Sequence, residues 1–73
     1  MSRDHYLNYG ILTIQKVISL EKCIEECEEW GFDCRSFSFS ERASECIINN
    51  LKRGDVNGAS YVFKKGFIYY ERV

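Results

Sequence analysis

The chain has 73 residues, of which 45% are hydrophobic and 15% aromatic, with four cysteines and no proline. This excludes a disordered chain and leaves one lean domain, because a chain of this length buries only about 60% of the surface that its unfolded form exposes. Ten basic residues against eleven acidic ones give a net charge of −1, so no global attraction to nucleic acid or to an anionic membrane is expected.

The first eight residues read as frayed or as part of a first strand. Residues 6–18, YLNYGILTIQKVI, are rich in β-branched and aromatic side chains. Ile11, Thr13 and Val17 alternate against Leu12, Ile14 and Ile18, which predicts one or two strands buried largely on one face. Ser19 follows as a helix N-cap, with Glu21 in the first turn, where a carboxylate suits the helix dipole. In residues 20–30, Leu20, Cys23, Ile24, Cys27 and Trp30 recur at three- and four-residue spacing and form one stripe of a helix. Glu25, Glu26, Glu28 and Glu29 fill the other side, and Gly31 ends the helix as a C′ residue.

In residues 34–40, CRSFSFS, Phe37 and Phe39 point one way and Ser36 and Ser38 the other. This is the pattern of a half-buried strand. ERASE is the turn and CIINNL the returning strand. Residues 52–60 form a polar connection with Gly54, Asn57 and Gly58 as breakers. The chain closes on GFIYYERV, a further β-prone run. The elements sum to an α+β domain, one helix against an antiparallel sheet.

Four cysteines in a domain this small indicate two disulfides and an oxidising compartment, outside the cell or in a secretory lumen. Cys23 and Cys27 lie on one helix face, while Cys34 and Cys46 open the two strands of a hairpin. Of the three possible pairings, joining Cys23 to Cys27 leaves the strand cysteines to clip a hairpin already closed by its own ladder. The nested pairing, Cys23–Cys46 with Cys27–Cys34, staples the helix to both strands, and Cys27 lies nearer the short loop. Rings of about 8 and about 24 residues would contribute roughly 2.5 and 3.5 kcal/mol, less when nested. Against a total stability of about 5 kcal/mol, they decide whether the domain folds. Zinc is not expected, because the cysteines lack two short knuckles, and the Cys-x-x-Cys of a redox dithiol is absent.

The helix-borne Cys23-x-x-x-Cys27, the following CRSFSF, Cys46-x-Ile48 and the closing FIYYER together resemble the PAN/apple domain family over about residues 9–73. The resemblance implies a helix cradled by a curved antiparallel sheet, and the same two disulfides. The third, end-joining disulfide of some apple domains has no cysteines here. The pattern therefore looks more like the two-disulfide N-terminal domains of hepatocyte growth factor and plasminogen, or the PAN modules of invertebrate surface proteins. The resemblance further implies binding of proteins or glycans without catalysis. The growth-factor domain binds heparin partly through basic residues on its helix. The matching positions here are Glu26 and Glu29, so heparin binding is not carried over.

The acidic helix face reads as a solvated surface. Arg42, Lys52, Arg53, Lys64 and Lys65 fall in turns and loops and are the candidate ligand-binding residues, able to gather at one end of the sheet as a site for an anion. His5, the single histidine, has no partner for catalysis or for a metal. Ser36, Ser38 and Ser40 lack a base, and Gly54 and Gly58 open no phosphate-binding helix. Trp30, Phe37, Phe39, Phe67, Tyr69 and Tyr70 are expected in or near the core.

No cofactor and no enzymatic activity are expected. The chain reads as one domain of a longer secreted or membrane-tethered protein, with Met1 an added start, that binds another extracellular protein. A carbohydrate-binding module is the alternative, and a free-standing secreted inhibitor a third reading. Direct membrane insertion and nucleic-acid binding are not expected.

Overall fold

The structure, a computed structural model, describes residues 2–55 and 61–72. In chain order it has strands β1 (Ser2–Leu7) and β2 (Ile11–Lys16), helix α1 (Leu20–Glu29), and strands β3 (Ser36–Ser40), β4 (Glu45–Asn49) and β5 (Tyr61–Glu71). Short 3-10 turns occupy Gly31–Asp33 and Arg53–Asp55. All strand pairings are antiparallel, in the order β1-β5-β3-β4-β2. The fold is α+β, one helix on an open five-stranded sheet.

Local chemistry bounds the helix at both ends. The Ser19 hydroxyl accepts the Lys22 N–H at 3.3 Å, as an N-cap does. Gly31 takes φ +64, the left-handed value that lets a chain leave a helix without a Cβ clash. The last turn of α1 holds no basic residue. Arg72, beyond β5, supplies one instead, donating to the carbonyls of Gly31 at 2.6 Å and Cys34 at 3.3 Å.

The core lies between α1 and one face of β3 and β4. The disulfides are Cys23–Cys46 and Cys27–Cys34, with Cα separations of 5.4 and 5.3 Å, so the nested pairing holds. All four cysteines pack with Phe37, Phe39 and Ile48. Tyr70 is half-buried and stacks on Phe37, with ring centroids 5.1 Å apart.

Several expectations are corrected. β3 is not half-buried, since Ser36, Ser38 and Ser40 are as buried as the phenylalanines between them. The cause is a bend in β5. Arg3 pairs with Ile68 but His5 pairs with Phe63, so the segment Lys64 to Phe67 stands opposite Asp4 alone. Gly66 at φ +94 and Asp4 at φ +61 absorb this bulge. β1 thereby lies against β3, and Leu7, Phe67 and Tyr69 are buried together with the serines. Asn49, also buried, donates to the carbonyls of Leu7 and Tyr9 and fixes the turn between β1 and β2.

The buried stripe of α1 is narrower than its apolar spacing implies. Ile24 and Trp30 remain 39% and 38% exposed, because the disulfides hold the helix down along Cys23 and Cys27. Ile14 and Ile18 are exposed. Of the two expectations for the first eight residues, the strand holds over Ser2–Leu7, and His5 stacks on Tyr61 with ring centroids 4.6 Å apart. β5 begins at Tyr61, ahead of the expected GFIYYERV. Asn57 and Gly58 lie outside the described residues.

Candidate ligand-binding groove

β3 and β5 place Phe39 beside Ile68 in register, and Phe37 beside Tyr70. With Leu20 at the start of α1, the side chains of Phe39, Ile68 and Tyr70 line a groove of about 590 Å³ at the edge of the core. Its rim comes from three separate segments: Asp4 in β1, Glu41 and Arg42 in the turn after β3, and Lys65 in the β5 bulge. The bulge shapes this rim. Gly66 N–H donates to Asp4 Oδ1 at 2.9 Å, which ties β1 to β5 across the irregular stretch. The result is an apolar floor with both signs of charge around it.

A family model described as the PAN domain matches residues 2–73. The chain belongs to the PAN domain family. PAN domains are modules for binding proteins or carbohydrates, generally without catalysis, and with disulfides of this kind they occur in extracellular proteins. No curated protein and no solved structure matches the chain.

The five sequence-derived cations of this PAN domain do not form one site. Arg42 and Lys65 meet at the groove. Lys52 lies on a separate cleft of about 330 Å³ with Phe32, Arg35 and Arg72. The Arg53 guanidinium rests over the Tyr61 ring at 5.1 Å. Lys64 Nζ stands over the rings of Tyr6 and Phe67, at 5.6 and 5.3 Å. Cation–π contact and the aromatic residues of β1 and β5 thus distribute the charges along the bent half of the sheet. On α1, Glu25, Glu28 and Glu29 are exposed and Glu26 is half-buried.

Sequence reasoning missed Asp4, because only the β5 bulge brings it to the rim. It also missed Arg35, just before β3, and Arg72, just after β5, which line the second cleft together. Phe32 is fully exposed on the second cleft. Its signal was available, since it follows Gly31 directly and lies off the helical stripe.

Tyr69 is buried on the serine side of the sheet. Its hydroxyl accepts the Arg53 N–H at 2.8 Å and donates to Glu71 Oε2 at 3.0 Å. Burial, chiefly, pushes its pKa up to about 12. The phenol therefore stays protonated further into the alkaline range than a free tyrosine, and its hydroxyl anchors Arg53 at the head of the turn. Among the described residues, no three His, Cys, Asp or Glu side chains are placed to share a metal ion. No described helix is long and apolar enough to cross a membrane.

Proposed function

We propose that this PAN domain is a non-catalytic extracellular recognition module that binds another protein through the groove beside α1. The observation that carries this reading is the pairing of an apolar floor, Leu20, Phe39, Ile68 and Tyr70, with a rim of opposite charges, Asp4 and Glu41 against Arg42 and Lys65. Such a site accepts an apolar side chain as anchor and flanking charges of both signs, the chemistry of a protein segment. It suits a sulfated glycan poorly, because two carboxylates stand beside the two cations. The two disulfides support the extracellular setting.

The test is to pan a displayed random-peptide library on the immobilised domain, beside a glycan array. Retained peptides should carry an apolar anchor between charges, and should lose binding to Ile68→Arg or Lys65→Glu variants that melt like the parent. Glycan binding that those variants abolish, with no peptide retained, would reject the protein-binding reading. The second cleft supports a carbohydrate reading, since exposed Phe32 offers a face for a sugar ring beside Arg35 and Lys52. In that case glycan retention is lost in Phe32→Ala and kept in Ile68→Arg.

A further inference from the structure

The turn between β4 and β5 carries Arg53, Gly54 and Asp55, all three exposed. The fold gives reasons for its flanks. Asp55 Oδ2 accepts the Lys52 N–H at 2.9 Å, and Asp55 N–H donates to the Lys52 carbonyl at 2.9 Å, which closes the turn. Arg53 N–H is held by the buried Tyr69 hydroxyl at 2.8 Å and by Glu71 Oε2 at 3.3 Å.

Among the described residues, nothing requires a glycine at position 54. It is not among the glycines with positive φ, and a Cβ added there would meet no described residue within 4 Å. Where the backbone has no need of it, glycine costs stability relative to alanine through its greater freedom when unfolded. A glycine without a steric duty leaves the backbone of the turn open to a partner that approaches from outside.

We propose that Arg53-Gly54-Asp55 is a docking site for a cation-dependent cell-surface adhesion receptor. Such a receptor seats the Asp55 carboxylate on a bound divalent cation and the Arg53 guanidinium in an acidic cleft, and it closes on the bare backbone of Gly54. Each part has its chemistry in place. A carboxylate is the hard oxygen ligand that Mg²⁺ or Mn²⁺ prefers, and guanidinium pairs bidentately with carboxylates. Among the described residues, the contacts that the two side chains would give up are weak surface ones, a ring face for Arg53 and one backbone N–H for Asp55. The anchoring of Arg53 N–H to β5 lowers the ordering cost on binding. This site shares no residue with the groove and does not depend on the groove reading.

Integrins that recognise the Arg-Gly-Asp tripeptide have this chemistry, and the test uses the purified ectodomain of one. The ectodomain is passed over the immobilised domain in Mn²⁺ buffer, with EDTA and a soluble Gly-Arg-Gly-Asp-Ser peptide as separate arms. Two variants probe the turn. Gly54→Ala adds only a methyl group, clear of every described residue, and Asp55→Asn keeps an oxygen for the Lys52 N–H while removing the charge. The expected result is parent binding that falls about tenfold or more in EDTA, with the peptide and in both variants, at unchanged thermal midpoints. If Asp55→Asn melts early, Gly54→Ala alone decides. No binding by the parent, binding that persists in EDTA, or full binding by Gly54→Ala would each overturn the proposal.

Discussion

Phe37 sits between its register partners Ile48 on β4 and Tyr70 on β5, buried beneath the helix with its ring stacked on Tyr70. Truncating it removes that stack and leaves a cavity among four half-cystines that the disulfides keep from collapsing. Phe37→Ala should cost roughly 3 kcal/mol or more in urea unfolding, and a loss below about 1 kcal/mol would contradict this packing. Tyr69 makes a pH-dependent contribution. Its pKa is raised from 10.0 to about 12 on folding, mainly by burial. The unfolded chain therefore releases this proton first, so the stabilisation is complete below pH 10 and declines as pH rises towards 12. Tyr69→Phe should flatten that part of the stability profile relative to the parent, and identical alkaline slopes would refute the assignment. The sequence marks Phe37 as core by simple alternation. It cannot mark Tyr69 as the anchor of the Arg53 turn, because that bond joins residues 16 positions apart.

At the scale of elements, α1 makes few contacts of its own with β3 and β4 compared with those between strands. Two disulfides clip it to the sheet instead. The Cys23–Cys46 ring is the longer, with a sequence separation of 23 against 7. Replacing Cys23 and Cys46 together by Ala should therefore destabilise the domain by about 1 kcal/mol more than replacing Cys27 and Cys34. Denaturant midpoints in equal or reversed order would count against the loop-entropy account.

Helix limits, hairpin and disulfide pairing were legible because each rests on local signals, namely the Ser19 cap, Gly31, the Phe–Ser alternation and cysteine spacing. The burial of the serine face was not legible. It follows from the bulge at Lys64–Phe67, where a strand changes course against Asp4, some 60 residues away in the chain. The same bulge forms the groove's rim, and so the part of the site built by β1 was hidden too.

For the molecule as a whole, charge distribution separates the binding readings. Net charge is −1, the helix carries five glutamates, and the five sequence-derived cations are dispersed over the groove, the second cleft and two aromatic contacts. The domain should therefore elute from a heparin column at or below physiological ionic strength, where a Debye length of about 8 Å screens such scattered charge. A Glu26→Arg, Glu29→Arg variant should be retained longer. Firm retention of the parent above that ionic strength would move the carbohydrate reading ahead of the protein one.

The most direct measurement of the central claim is amide chemical-shift mapping of the ¹⁵N-labelled domain, titrated with a peptide selected by panning. The groove reading places the largest shifts at Leu20, Phe39, Gly66, Ile68 and Tyr70. Shifts concentrated instead at Phe32, Arg35 and Lys52, with the groove resonances unmoved, would contradict it.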